Sequence, residues 1–188
     1  MKNSKIWVIL GATDGLGPPA IKYLLLNQQR VIALFINSSA AQDNYKSVSG
    51  KLHVIHINVF DLRSFRKEMQ NITIQYGLVD FIINNSNYRL FNNLGHKGYT
   101  QINNSISESV AETIVLLKEL LPFFRKHPTG NLVNIPPQLC LATVKKADAE
   151  VLLSAMGMFL TALHNELQSL NCPFTFLEPG DRLSDLAV

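Results

Sequence analysis

Charge is scarce in this sequence. Asp, Glu, Lys and Arg make up 16% of its 188 residues, against 47% hydrophobic residues. A chain this apolar and this weakly charged is not intrinsically disordered. The net charge is only +3, with Lys and Arg scattered along the chain, so no basic stripe is present and nucleic acid is not an expected partner. Cysteine is nearly missing: Cys140 and Cys172 form neither a metal-ligand spacing nor a disulfide framework. They read as free thiols of a reducing compartment, and the expected location is cytoplasmic. Long apolar runs are missing too. Behind Lys2 and Lys5 the run is only Ile6–Leu10, whereas a signal-peptide core needs about 7–15 residues. The stretch Val151–Leu163 is interrupted by Ser154, Gly157 and Thr161 and falls short of the roughly 20 residues that span a bilayer. Neither export nor membrane insertion is expected. Triplets such as Asn71-Ile72-Thr73 therefore say nothing about glycosylation.

What the sequence does contain is an alternation of two periodicities. Apolar runs at Lys5–Leu10, Val31–Ile36, His53–Val59, Leu78–Asn84, Asn131–Ile135 and Phe174–Leu177 predict six short strands. Between them lie segments of helical spacing. The first covers Pro19 to about Asn27, with Ile21, Leu24 and Leu25 on one face. A second is capped by Asp61 and ends at Gly77. A third covers roughly Ile102 to Lys126, with Val110, Ile114, Leu117 and Leu121 aligned, and a fourth covers about Asp148 to Leu170. Strands alternating with helices imply βαβ units and a parallel sheet covered on both faces. The expected fold is α/β: one domain over residues 1–188, a Rossmann-like doubly wound sheet of about six strands between two helical layers.

The first strand runs into Gly11-Ala12-Thr13-Asp14-Gly15-Leu16-Gly17 and then into a helix. Glycines at this spacing allow a tight turn, and they let backbone approach a pyrophosphate and the helix approach the sheet. The helix N-terminus adds N–H donors and a positive dipole end. Pro18 and Pro19 remove two of those donors. A purely structural strand-to-helix turn is the competing reading of the same residues.

In this setting Gly-x-x-x-Gly-x-Gly resembles the glycine motif of the short-chain dehydrogenase/reductase family, and further landmarks follow in that family's order. Asn58-Val59-Phe60-Asp61 resembles the Asp-Val-x-Asp segment that holds adenine, with Asn58 keeping an acceptor. Asn84-Asn85-Ser86-Asn87 resembles the Asn-Asn-Ala-Gly run after the fourth strand, with Asn87 replacing glycine. Leu121-Pro122, Asn131–Ile135 and Pro179-Gly180 also match. The resemblance covers almost the whole chain. It implies binding of NAD or NADP through Gly11, Thr13, Asp14, Gly15, Leu16, Gly17, Asn58, Val59, Asn84, Asn85 and Ser86. The end of the second strand, Asn37-Ser38-Ser39, carries neither the acid associated with NAD nor the base associated with NADP. Asp14 would repel a 2′-phosphate, so the reading leans toward NAD, although Asp14 also suits a turn residue bonding its own backbone.

The family's hydride transfer uses a Tyr as acid/base and a Lys four residues on. That spacing puts both on one helix face, where the cation draws down a phenol of pKa about 10. A Ser and an Asn complete the set. Here the last Tyr is Tyr99 and the last Lys is Lys146, so the fourth helix cannot carry the pair. Alignment places Glu150, Ser154, Pro137 and Ser109 at the Tyr, Lys, Ser and Asn positions. Glu150 reads as a solvated residue, His164 as a packing or surface residue, Lys145-Lys146 as a solvated loop and Cys140 as a buried thiol. Only Asp181–Val188 follow Pro179-Gly180, so a substrate-covering lid is not expected. The apolar girth of Val151–Leu163 points to a homodimer through the two long helices. The expectation is a degenerate family member with no assigned catalytic residue and no metal, which holds NAD(P) with little or no oxidoreductase activity. The alternatives are a non-catalytic dimeric scaffold or regulatory protein, and an active oxidoreductase with substituted catalytic groups.

Overall fold

The computed structural model describes residues 4–13, 15–36, 50–57, 61–85, 104, 111, 114–124, 131–135, 161, 164–165, 168 and 174–176. In chain order the elements are β1 (Ile6–Leu10), α1 (Gly17–Leu26), β2 (Arg30–Ile36), β3 (Leu52–Ile57), α2 (Leu62–Tyr76) and β4 (Phe81–Asn84). Helix α3 follows, helical at 104, 111 and 114–120, then β5 (Asn131–Asn134), helix α4 (helical at 161, 164–165 and 168) and β6 (Phe174–Phe176). The six strands form one sheet in the order β3-β2-β1-β4-β5-β6, and every pairing is parallel. This is the doubly wound α/β arrangement expected from the sequence.

Parallel strands buried on both faces need apolar side chains in both directions, and β1 supplies them. Ile6, Val8 and Leu10 enter one core with Ile32, Leu34, Phe65, Met69 and Leu117. Trp7 and Ile9 enter the opposite core with Ala20, Ile21, Leu24 and Val133. Trp7 stacks on Phe81 with ring centroids 4.1 Å apart. The two cores sandwich the sheet and hold β1 rigidly at its centre.

Helix α2 begins where expected. Asp61 accepts from Ser64 Oγ at 2.9 Å and more distantly from Ser64 N at 3.5 Å, and Gly77 closes the helix with φ 99°. Other boundaries differ from the sequence expectation. Helix α1 starts at Gly17, two residues before Pro19, because proline is compatible with the first turn. Strand β4 starts at Phe81 rather than Leu78; Val79 instead forms an isolated bridge with Phe124. Helix α3 stops at 120, not at Lys126. Pro122 disfavours helical backbone before it, and Leu121–Phe123 form a single 3₁₀ turn that delivers Phe124 to the bridge. The buried stripe of this segment is Leu116, Leu117, Leu120 and Phe124, rotated from the expected stripe, in which Ile114 is only half-buried. Val110 lies outside the described residues.

Helices α2 and α3 are also tied by an ion pair. The Arg66 guanidinium donates through Nε and one terminal nitrogen to the Glu119 carboxylate. The hydrogen bond from Arg66 holds the Glu119 carboxyl below its ordinary range, against the opposing effect of burial. A carboxyl depressed in the folded state adds stability above its unfolded pKa, and that stability is lost as pH falls through the folded value. Glu119→Gln is therefore expected to lower the urea midpoint slightly at neutral pH. The difference from the natural chain should vanish in acid; a gap that persists there would rule out the ion pair as its cause.

Candidate functional site

The strand order reverses between β1 and β4, which both lead out of the same end of the sheet. In open α/β sheets the crevice at such a switch point is where ligands bind. Here its two walls are the turn after β1 and the residues that end β4.

The turn needs its glycines. Gly11 and Gly15 have φ of 70° and 57°, left-handed values that side chains with a Cβ rarely adopt. Gly17 has a different reason. A Cβ built on it would lie 2.6 Å from the Ala12 carbonyl oxygen and 2.7 and 2.8 Å from two further backbone atoms of Ala12. The start of α1 therefore rests directly on the turn. Ala12 is itself fully buried and donates its N–H to Leu34 O at 3.4 Å.

The β4 wall is tied to that turn. Asn85 donates through Nδ2 to the Gly11 carbonyl at 2.8 Å, and its backbone N–H donates to Leu10 O at 3.0 Å. Asn84 is fully buried, and its carbonyl accepts from Ile135 N at 3.0 Å. Two bonds from one residue thus fix the gap between the walls. The sequence marked Asn85 as a ligand-side residue; that it braces the turn depended on a contact 74 positions away, for which no local signal exists.

At the mouth, Gly15 and Leu16 are exposed and Thr13 is half-buried. Leu16 precedes the first helical bond, Ala20 N to Leu16 O at 3.0 Å. No side chain caps the helix and its first turn holds no acid. The structure thus brings together Gly11, Thr13, Gly15, Leu16, Gly17, Asn84 and Asn85. Asp14, Asn58, Val59 and Ser86 lie outside the described residues, as do Ser109, Pro137, Cys140, Lys145, Lys146, Glu150 and Ser154. His164 is exposed on α4, its Nε2 2.8 Å from Gln168 Nε2. Among the described residues no group of His, Cys, Asp or Glu could hold a metal, and no helix is long and apolar enough to cross a membrane.

The chemistry available at this site is recognition of a phosphate-bearing ligand by backbone. An open glycine turn, a helix start pressed against it and a braced opposite wall fit a dinucleotide. Sheet order and turn together define an α/β fold of the Rossmann type.

The chain belongs to the short-chain dehydrogenase family, whose model matches residues 5–186. The family generally binds NAD(P). An uncharacterized oxidoreductase of Schizosaccharomyces pombe is 23% identical over 143 residues, which cover 72% of this chain and 58% of that protein. This chain thus aligns with little more than half of that relative. The 3-oxoacyl-(acyl-carrier-protein) reductase FabG of Salmonella typhimurium is 22% identical over 181 residues, covering 95% of this chain and 73% of the relative. Among solved structures, a short-chain dehydrogenase/reductase from Serratia marcescens superposes with a TM-score of 0.67 at 16% identity over 94% of this chain and 74% of its own. One from Streptomyces avermitilis gives 0.63 at 19% over 96% and 67%. These two share the fold.

Proposed function

We propose that this chain binds a nicotinamide dinucleotide at the switch point between β1 and β4 and carries out little or no hydride transfer. The observation that carries the reading is the turn itself. Gly11 and Gly15 hold left-handed backbone, and Gly17 leaves no room for a Cβ. In this reading the pyrophosphate lies against Gly11, Thr13, Asp14, Gly15, Leu16 and Gly17, and adenine lies near Asn58, Val59 and the Asn84–Ser86 segment.

The reduced chemistry rests on the residue types present. The five tyrosines are Tyr23, Tyr45, Tyr76, Tyr88 and Tyr99, and none is followed four residues later by lysine. The tyrosine–lysine spacing with which the family draws a phenol toward neutral is thus missing from this sequence. NAD is favoured over NADP because Asn37-Ser38-Ser39 offers a 2′-phosphate no cation and Asp14 would repel it. The apolar Val151–Leu163 segment supports a homodimer through α3 and α4, in a cytoplasmic setting.

Thermal melts with NAD, NADH, NADP and NADPH test the reading. Ligand at 100 times its dissociation constant stabilises a fold by about 2.7 kcal/mol, which shifts the melting temperature by several degrees. NAD or NADH is expected to give the larger shift, with no turnover on alcohol and carbonyl panels. Indifference to all four would remove the binding reading and leave a scaffold role. Robust turnover would remove the claim of inactivity. Light scattering on the same samples checks the dimer, since a particle of 21.0 kDa would contradict it.

A further inference from the structure

We propose that the free edge of β3 is an interface for a second copy of this chain, the two β3 strands pairing antiparallel about a twofold axis at Val54. This edge is two strands away from β1 and its crevice, and the pairing does not depend on the nucleotide reading.

Among the described residues β3 ends the sheet, with β2 as its one neighbour. Val31 pairs with Leu52 and donates its N–H to Lys51 O at 2.9 Å. The parallel ladder therefore turns the main-chain groups of 51, 53, 55 and 57 toward β2 and those of 52, 54 and 56 outward. No described residue bonds the outward N–H or carbonyl of Val54. Beside them lies a cavity of about 330 Å³, lined by Val54–Ile57 and by a face of α2 that includes Asp61 and Phe65. Ile55 and Ile57 belong to the core under α2, whereas Val54 packs against the opposite core. A space that touches both sides of one strand lies along its edge, so the edge is open there.

The strand that suits this edge is β3 itself. A register symmetric about Val54 opposes 51 to 57, 52 to 56 and 53 to 55, so the whole strand finds partners. At the centre the two Val54 residues exchange N–H···O bonds in both directions, and their branched side chains form a cross-strand pair. Facing residues share one side of a sheet, so Lys51 of one copy stands beside Ile57 of the other, on the side where Asp61 lines the cavity. Lys51 Nζ now bonds Gln28 O and Oε1 at an exposed position, bonds that it can exchange for the carboxylate. The axis repeats this ammonium–carboxylate approach, giving two per pair. No two like charges face each other, because Lys51 meets Ile57 and His53 meets Ile55.

Sedimentation velocity over a range of concentrations tests the pairing. Val54→Pro removes the outward donor and leaves the β2–β3 ladder its bonds; proline is tolerated on edge strands for this reason. The natural chain is expected to associate, and Val54→Pro to halve the mass it reaches, with an unchanged circular dichroism spectrum. Lys51→Glu should weaken association several-fold at low salt, an effect that fades as salt rises. Should Val54→Pro fail to fold, a synthetic peptide of residues 50–57 decides. In excess it should dissociate the natural chain, and the same peptide N-methylated at Val54 should not. A natural chain that stays monomeric at every concentration would overturn the proposal. So would a folded Val54→Pro variant of unchanged mass, which would assign the association to another face such as α3 and α4, or a peptide without effect.

Discussion

Gly17→Ala is expected to destabilise the fold by about 2–3 kcal/mol, the upper part of the range for overpacked sites, and to abolish any stabilisation by dinucleotide. Alanine is the better helix former by about 1 kcal/mol, so the helix alone would favour the change. The site opposes it. The new methyl group would sit 2.6–2.8 Å from three backbone atoms of Ala12. Those atoms belong to a buried segment between two left-handed glycines and cannot swing aside as a side chain could. Helix α1 must then lift from the sheet, carrying Ala20, Ile21 and Leu24 out of their core and widening the turn. Gly50→Ala is the matched control: it is exposed with nothing within 4 Å of an added Cβ, and should change stability by less than about 0.5 kcal/mol. Urea melts of both variants decide the matter. Equal behaviour would mean that the contact with Ala12 does not constrain the helix.

Asn85→Asp should cost on the order of 3 kcal/mol at neutral pH, because it places a charge in a buried position and replaces the donor to Gly11 by an acceptor. The residue is 3% exposed and its Nδ2 donates to the Gly11 carbonyl at 2.8 Å. A carboxylate of the same shape would face that carbonyl, acceptor against acceptor. Burial raises the folded pKa of such a group above its unfolded value near 3.9. At low pH both states are protonated and the neutral acid can donate to Gly11, so the variant should approach the natural chain. As pH rises above the unfolded pKa the loss grows, and it levels off once the folded carboxyl ionises. Urea melts from pH 4 to 8 measure this. A deficit that does not change with pH would show that the side chain has turned to water and that the brace is dispensable.

Much of this architecture was legible locally. Six apolar runs, the Asp61 cap and the Gly77 stop each follow from short-range periodicity and backbone preference, and all appear in the structure within a few residues. The glycine turn was legible for the same reason: left-handed backbone at Gly11 and Gly15 is a local demand. The illegible parts depend on distant partners. The end of α3 at 120 was hidden because Leu121 and Phe123 continue an apolar helical pattern, while Pro122 and the Val79–Phe124 bridge decide the outcome. The rotated stripe on α3 reflects which neighbours it meets, Phe65 and Met69 among them, and no periodicity contains that. At the site, Gly17 could be read as close packing in general, but its contact with Ala12 required the folded turn.

The pairing of β1 with β4 is fastened at both ends by side chains. At the upper end Asn85 reaches the Gly11 carbonyl. At the lower end the buried Asp80 carboxylate accepts from Ile6 N at 2.9 Å, with Lys5 Nζ 3.8 Å away, and Asp80 N donates to Ile6 O at 2.9 Å. A slip of β4 past β1 by one residue would have to break both fastenings together and would turn Phe81 away from Trp7 into the other core. The central seam of the sheet is thus locked in register like a ladder nailed at its first and last rungs.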